Sequence, residues 1–263
     1  MEQEEINVEV HPEIFEFLEG EFEEKMQEAR TLTFLPRDKE LQKNCVGELK
    51  DLIEDAEVLR NKFREKNGEA ANQALAIILV IKAIMEELKM WIKIKEEEWD
   101  NAWNRLIESQ NYTEDAVQAH DVAYLCNAGI FRNKLESIEK LVFPPQSFFS
   151  PGTIVKEIEC SICREDYREC KHKSGKPYSG ELCRKIMNDF IAREVSLVDN
   201  PVDKKAKLKY FETDDGKVRD KMTWKKYEPE EIDEIELEGE GRVVTGTIMT
   251  SDNSEEFESN SEG

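Results

Sequence analysis

The chain has 263 residues, of which 39% are hydrophobic and 37% charged, and its formal net charge is −22. A chain of this length can bury a core in one large domain or two modest ones. Its longest apolar run, Ala74–Ile81, has eight residues, far short of the about 20 that a membrane helix needs. The acidic opening, MEQEEINVEV, is unlike the basic start of a secretory signal. We therefore expect a cytoplasmic protein that makes no membrane contact.

The negative charge is concentrated at the two ends of the chain. Residues 1–30 contain eleven acidic and two basic side chains, and residues 228–263 contain thirteen acidic side chains and one basic side chain. Acidic ends of this kind are typical of solvated tails, so we predict that 228–263 is largely disordered, with one candidate strand at Val243–Met249. The nearly neutral body argues against a large nucleic-acid footprint, which needs a basic face.

The acidic N-terminal segment, 1–37, is predicted to contain one amphipathic helix that begins after Pro12. Its apolar positions share one helical face and are Ile14, Phe15, Leu18, Phe22 and Met26. The pattern predicts the helix but does not decide whether the helix packs on the rest of the chain.

Residues 38–142 carry the patterns of several helices joined by short turns, which predicts an antiparallel helical bundle. The first helix has apolar residues at steps of three and four, a heptad-like seam that is predicted to end at Asn67-Gly68. The seam positions are Leu41, Cys45, Leu49, Leu52, Ala56, Leu59 and Phe63. This seam can pack within one chain or pair two chains, so a homo-oligomer stays open. Cys45 lies on the seam, and we expect its thiol to be buried.

The next two helices differ in how much of their surface is apolar. Residues Ala74–Ile84 are apolar on nearly every side, which is typical of a helix at the centre of a bundle. A shorter helix follows, with Trp99 and Trp103 on one side, and both side chains are predicted to belong to the core.

The last helix of the bundle is predicted to run from Glu114 to Val142. The break before it falls at Asn111-Tyr112, and the side chain of Thr113 can cap its first turn. His120 lies on this predicted helix, and we interpret it as a hydrogen-bonded structural residue.

Residues 143–152, FPPQSFFSPG, form a predicted linker, because two successive prolines must end the preceding helix. Beyond it we predict a small module over 153–227. Its predicted elements are strands at 153–159, 194–198 and 205–211, a helix at 181–192 and a turn at Asp214-Asp215-Gly216. The predicted fold class is therefore mainly α, with an antiparallel helical bundle followed by a small α+β module and acidic tails.

Four of the six cysteines and one of the three histidines lie within the 24 residues from Cys160 to Cys183. A CxxC turn brings two thiolates together, and the CxH that follows can place two more ligands on one side of the chain. Two ligand sets remain open. The first consists of Cys160, Cys163, Cys170 and His172, and in the second Cys183, at the start of a helix, replaces Cys170 or His172. Either set predicts one structural Zn²⁺ that stabilises the module.

No familiar catalytic motif accompanies these cysteines in the sequence. The chain contains no HExxH, no deaminase-type HxE with PCxxC, and no GxxxxGK[ST], GxGxxG or GxSxG pattern. Thiolate-rich metal sites are normally closed to substrate. We therefore name no catalytic residues and favour a role without catalysis.

Basic and aromatic side chains surround the cysteines. They are Arg164, Arg168, Lys171, Lys173, Lys176, Arg184 and Lys185, with Tyr167 and Tyr178 among them. A basic, aromatic zinc module can hold nucleic acid, which makes nucleic acid one candidate partner. The same face can equally contact a protein or the acidic tails.

The segment CSICREDYRECKH…GKPYSGELC, followed by EVSLVDNPVDKKAKL, resembles a cysteine-plus-strand element of bacterial and phage proteins. Within it, EVSLVDNP resembles the late strand of phage prohead-protease domains. The resemblance covers 153–210 and implies a bacterial or phage origin with a β element after the cysteines. It implies no activity, because no motif around Ser147, Ser150 or Ser196 matches the nucleophile of those proteases.

Three functional hypotheses follow from these observations. The first is a non-catalytic, zinc-containing interaction or scaffold protein of bacterial or phage origin, which acts on protein partners in assembly or recruitment. The second is a phage-maturation or defence hydrolase with an unrecognised active site. The third is a nucleic-acid-binding regulator that uses the basic face of the zinc module.

Overall fold

A computed structural model describes residues 8–232, and about half of these residues are helical. The described residues fall into two compact units, 8–207 and 208–232. Their border differs in position from the predicted linker 143–152, which coincides with the change from helices to strands. The mainly helical composition, with small sheets added, agrees with the sequence prediction.

The first unit begins with helices and ends with strands. Its α-helices are α1 (Pro12–Phe17), α2 (Glu23–Leu32), α3 (Lys39–Phe63), α4 (Gly68–Lys95), α5 (Trp99–Ala119), α6 (Val122–Leu125) and α7 (Ala128–Val142), and a π-helical segment, Leu18–Phe22, joins α1 to α2. Its strands are β1 (Phe148–Cys160), β2 (Pro177–Tyr178), β3 (Glu181–Leu182) and β4 (Lys185–Val198).

Helix α4 lies at the centre of the helical region, as its apolar surface predicts. Nearly every residue from Ala70 to Ile94 is buried, and both α3 and α5 pack along α4. The seam of α3 therefore packs within one chain, and Cys45 is buried as predicted. The seam begins at Cys45 rather than Leu41, because Leu41 lies in the first turn of α3 and is 55% exposed.

The N-terminal helix packs on this core, a point that its pattern left undecided. Ile14, Phe22 and Met26 are buried in the same cluster as α3 and α4, whereas Phe15 is half exposed. The helix is kinked at Gly20, whose backbone leaves the helical region of φ and ψ. One helical stretch thus bends so that both of its halves reach the core.

Two predicted helix boundaries are wrong. Asn67 does not end α3; its side chain accepts a hydrogen bond from the Ala70 amide and caps α4, in which Gly68 is the first residue. The predicted break at Asn111-Tyr112 is absent, since α5 continues to Ala119. Thr113 donates its hydroxyl to the Ser109 carbonyl in the preceding turn and does not act as a cap, a bonding mode open to threonine inside helices.

The real break in this region lies at 120–127. His120 has an extended backbone that ends α5, and Asn127 has a left-handed φ of 63° just before α7. Asparagine tolerates the left-handed conformation better than most residues. The single long helix predicted over 114–142 is therefore divided among the end of α5, α6 and α7.

The predicted helix at 181–192 is also wrong, because these residues belong mainly to strands. β4 pairs with β1 in antiparallel register from Phe148 opposite Val198 to Cys160 opposite Lys185. This ladder includes the predicted strands 153–159 and 194–198, and it makes the end of the predicted linker, from Phe148, part of β1. The local sequence permits a helix, but pairing with a distant strand decides the conformation, as is common for β structure.

The end of this ribbon at Phe148 and Val198, which we call its open end, is attached to α5. The Trp103 indole N–H donates to the Lys204 carbonyl at 2.9 Å, and its ring contacts the rings of Phe143 and Phe148. Lys207 forms an ion pair with Asp100 of α5. Trp103 is thus a core residue, as predicted, and it fixes the point where the ribbon leaves the helices.

The second unit, over its described residues 208–232, is a small antiparallel sheet. Its strands are β5 (Tyr210–Glu212), β6 (Val218–Asp220) and β7 (Lys226–Tyr227), in that order. The turn predicted at Asp214-Asp215-Gly216 is confirmed, with Gly216 at a φ of 75°. The strand predicted at 205–211 begins only at Tyr210.

The acidic segment after residue 232, with the candidate strand Val243–Met249, lies outside the described residues, as do residues 1–7. Within the described part, no helix combines the length and hydrophobicity required to cross a membrane.

One buried ion pair crosses the helical core. The carboxylate of Glu87 is fully buried and lies 2.7 Å from the Lys134 ammonium group, and it also accepts a hydrogen bond from the Trp91 indole. Lys134 in turn donates to the Thr33 hydroxyl. Burial raises the pKa of Glu87, an effect that the Lys134 ammonium opposes. Loss of Lys134 would therefore leave the buried Glu87 carboxylate without its counter-charge.

We predict that Lys134→Met lowers the free energy of unfolding by about 3–5 kcal/mol at neutral pH, because it leaves a buried carboxylate without its counter-charge. The loss should shrink as the pH falls towards the ordinary carboxyl range, since a protonated Glu87 is neutral. Urea unfolding monitored by circular dichroism measures both effects. Arg132→Met is the control on the same helix: its exposed pair with Glu114 should contribute less than about 1 kcal/mol. Equal losses in the two variants would contradict the interpretation.

Candidate metal centre

The cysteine-rich segment forms the closed end of the β1–β4 ribbon. Cys160 is the last residue of β1 and lies opposite Lys185, the first residue of β4. Residues 161–184 connect the two strands and contain the short β2–β3 hairpin. The ribbon thus brings the two ends of the segment together.

Four of the predicted ligands converge at this end. The thiol groups of Cys160, Cys163 and Cys170 and the imidazole of His172 each offer a ligand atom, and these four atoms all lie within 4.8 Å of one another. Sulfur ligands of a tetrahedral zinc ion lie about 3.8 Å apart, given a Zn–S distance of about 2.3 Å. The group can therefore hold one metal ion with small side-chain adjustments.

The CxxC turn stabilises a thiolate at its first position. The Arg164 amide donates to the Cys160 carbonyl at 2.9 Å, and Arg164 has a left-handed φ of 63°, so the chain folds back around the sulfur. Burial opposes ionisation of Cys160. Hydrogen bonds from the backbone of Cys163 and Ile162 and from the thiols of Cys183 and Cys163 outweigh it, lowering the pKa of Cys160 to about 6.

The second pair of ligands lies on a tight turn braced by tyrosines. The Cys170 amide donates to the Asp166 carbonyl at 3.1 Å. The hydroxyls of Tyr167 and Tyr178 accept from the amides of Ser174 and Lys173. The bracing holds Cys170 and the residues after it beside the CxxC turn.

The imidazole of His172 has a buried nitrogen that no protein group satisfies among the described residues. Its ring packs edge-on against Tyr178, with the ring centres 4.6 Å apart. Its Nδ1 atom is buried and has no hydrogen-bond partner among the described residues. Buried polar atoms are rarely left unpaired, and a metal ion bound through Nδ1 would satisfy this nitrogen.

Cys183 lies beside the group rather than in it. Its buried sulfur is 3.7 Å from that of Cys160, and burial, followed by its interaction with Cys160, raises its pKa to about 11. The helix start that would have favoured Cys183 as a ligand is absent, since this residue stands between β3 and β4. The geometry thus brings together the first predicted ligand set and places the fifth candidate next to it.

The loop is fastened to the helices through the tip of the β2–β3 hairpin. Ser179 and Gly180 both have left-handed backbones, the conformation of a two-residue type I′ turn. The Gly180 amide donates to the Asn72 side-chain oxygen at 2.8 Å. Ion pairs join Arg64 to Glu181 and Arg184 to Asp115. Sequence analysis missed this attachment, although the Ser-Gly dipeptide is a turn signal.

The other cysteines and His120 have structural surroundings. Burial raises the pKa of both Cys45 and Cys126 to about 12, so both thiols remain protonated. His120 uses both ring nitrogens: Nε2 lies 2.8 Å from a Glu69 carboxylate oxygen, and Nδ1 accepts from the Val122 amide. The prediction of a hydrogen-bonded structural histidine is confirmed, although His120 ends α5 rather than lying inside a helix.

Several basic side chains around the site already have partners. Arg168 pairs with Asp166 and Arg184 with Asp115, and the Lys185 ammonium group lies 4.8 Å from the centre of the Tyr167 ring. The two ion pairs neutralise part of the basic face predicted from the sequence.

No protein-family model, curated protein or solved structure matches this chain. The resemblance of 153–210 to bacterial and phage proteins therefore stays a prediction.

We predict that Gly180→Ala lowers the free energy of unfolding by more than the about 1–2 kcal/mol that a left-handed alanine costs. A β-carbon there would lie 2.9 Å from the Arg60 side chain and 3.2 Å from Ala71, so the hairpin must move off α4. Gly175→Ala is the matched control, because it has the same φ of 81° and its nearest neighbour is the flexible end of Gln118. Chemical unfolding of both variants is the measurement, and an equal loss in both would argue against the attachment.

Proposed function

We propose that this chain is a non-catalytic interaction protein in which a helical bundle carries a zinc-stabilised β ribbon. The observation that carries the proposal is the convergence of Cys160, Cys163, Cys170 and His172 at the closed end of the ribbon. The role is assembly or recruitment of protein partners. The resemblance of 153–210 supports a bacterial or phage setting for it.

The chemistry of the donor set supports Zn²⁺ as the ion. Three thiolates and one imidazole are soft or borderline ligands, a combination typical of structural zinc sites. Four protein ligands complete the tetrahedral coordination of the ion and leave no open position for water or substrate. A coordination shell completed by the protein favours a structural ion over a catalytic one.

The proposed ion would stabilise a segment that has little regular structure of its own. The segment between Cys160 and Cys183 contains only two very short strands, and three of the four ligands follow β1 within twelve residues. Binding all four would hold the CxxC turn and the CxH turn against the start of β4. Because such a site rarely exists in the unfolded chain, the free energy of metal binding becomes free energy of folding.

The surroundings of the site favour a protein partner over nucleic acid. The ion pairs of Arg168 and Arg184 occupy charges that phosphate groups would need. The ribbon beyond the site exposes a series of apolar side chains, and exposed apolar surface of this kind is a mark of protein interaction sites.

We predict that the purified wild-type chain contains one zinc ion per molecule and that Cys170→Ser loses it. Cys183→Ser is the matched control and should retain the ion, because Cys183 lies outside the four-residue group although its sulfur contacts Cys160. Inductively coupled plasma mass spectrometry on protein purified under reducing conditions measures the content. Zinc-free wild type, or loss of zinc with Cys183→Ser alone, would refute the proposed ligand set.

A further inference from the structure

The β1–β4 ribbon stands away from the rest of its unit for most of its length. Among the described residues, no third strand pairs with either of its edges, and contacts with the helices are found at its two ends, at Phe148 and at Arg184 beside β4. A two-stranded ribbon without a covering layer is marginally stable in water. Its open edges offer unpaired backbone groups to another strand.

The exposed side chains of β4 are unusually apolar for such a position. Each of five large apolar residues on this strand is more than 40% exposed; they are Met187, Phe190, Ile191, Val195 and Leu197. Exposed apolar surface of this kind is typical of a protein interaction site.

The two edges of the ribbon differ in their protection against pairing. The β1 strand contains Pro151 and Gly152, and proline cannot donate a hydrogen bond to a neighbouring strand. The β4 strand, KIMNDFIAREVSLV, contains neither proline nor glycine over its fourteen residues. Relative to β1, β4 carries two extra residues, Asn188 and Arg193, but every residue of β4 keeps its backbone N–H, so its edge is the one that can accept a further strand.

The charges on β4 identify which strand fits this edge. If two copies of β4 pair antiparallel about a two-fold axis at Ile191, and Asn188 and Arg193, the extra residues relative to β1, each take one position in the new ladder, Asp189 of each copy lies opposite Arg193 of the other. No pair of like charges is brought together in this register. Met187 then faces Val195, and Phe190 faces Ala192, so apolar residues also meet apolar residues.

The side chains that this register uses are suitably placed. Arg193 is the extra residue of a bulge, since Ala192 and Glu194 pair with successive residues of β1 and leave it without an opposite residue. Asp189 contacts Lys156 of β1 at 3.1 Å, but its side chain is 48% exposed. Both charged groups can therefore reach a strand laid along the outer edge of β4.

From these observations we propose that β4 is a self-association strand, which joins two copies of this chain into a symmetric dimer through a continuous four-stranded sheet. An isologous interface of this kind is the commonest basis of homodimers. The proposal deepens the interaction role given above and rests on it, and the partner it names is a second copy of the chain.

The test is the oligomeric state of the full chain, measured by sedimentation equilibrium over a dilution series. Wild type should dimerise. Arg193→Asp should weaken the dimer about tenfold, because it brings two carboxylates together at each of two positions, and adding Asp189→Arg to it should restore the dimer. Glu194→Lys is the matched control, a charge reversal on the same strand opposite Asn188, and should leave the dimer unchanged.

Ile191→Lys should abolish the dimer by bringing two ammonium groups together at the two-fold axis, while its zinc content and circular dichroism spectrum stay as in wild type. A monomeric wild type, a dimer unaffected by Ile191→Lys, or a double charge reversal that fails to restore pairing would overturn the proposal. Failure of this kind with zinc still bound would leave the metal assignment standing, whereas loss of zinc in wild type would count against the proposed function instead.

Discussion

Helix α4 is apolar on nearly every side from Ala74 to Ile84, and this one property determines the arrangement of the helical region. A helix of that kind must be enclosed, so α3 and α5 pack along it and the bent N-terminal helix adds Ile14 and Met26 to the same cluster. Even the charged residue Glu87 is enclosed with it, and Lys134 supplies the counter-charge. The cysteine-rich segment between β1 and β4 is attached to the same helix, because the Gly180 amide donates to the Asn72 side-chain oxygen near the start of α4.

The middle of the ribbon and its two ends are stabilised by different interactions. Along β1 and β4 most side chains are exposed or half-buried, whereas Cys160 and Cys183 at the closed end are fully buried. Hydrophobic burial therefore contributes little between the two ends of the ribbon. Trp103 fastens the open end, and the proposed zinc ion, together with the hairpin tip at Gly180, fastens the closed end. The middle, with the exposed apolar residues of β4, is the surface that we propose for association.

Sequence patterns predicted the parts of this structure that local chemistry decides. The apolar surface of α4, the buried thiol of Cys45 and the turn at Gly216 each follow from a few neighbouring residues. The spacing of the cysteines likewise gave Cys160, Cys163, Cys170 and His172 as one of its two candidate ligand sets, because a CxxC turn and a short CxH turn are local structures, and this is the set that converges.

The errors arose where distant contacts override local preference. Residues 181–192 have no glycine or proline to forbid a helix, and only their pairing with β1 makes most of them strand. Nothing in the sequence around His120 marks it as a stronger break than Asn111-Tyr112. The left-handed backbone of Asn127 and the two hydrogen bonds of the His120 ring determine the position of that break, and both depend on the packed helices.

Zinc K-edge X-ray absorption of the purified chain tests the central claim most directly, because it counts the atoms bound to the ion. The four-residue site predicts three sulfur atoms at about 2.3 Å and one imidazole nitrogen at about 2.0–2.1 Å. Four sulfur ligands would show that Cys183 has replaced His172, and a shell containing water oxygen would show an open site. Either of these results would contradict a closed structural ion held by Cys160, Cys163, Cys170 and His172.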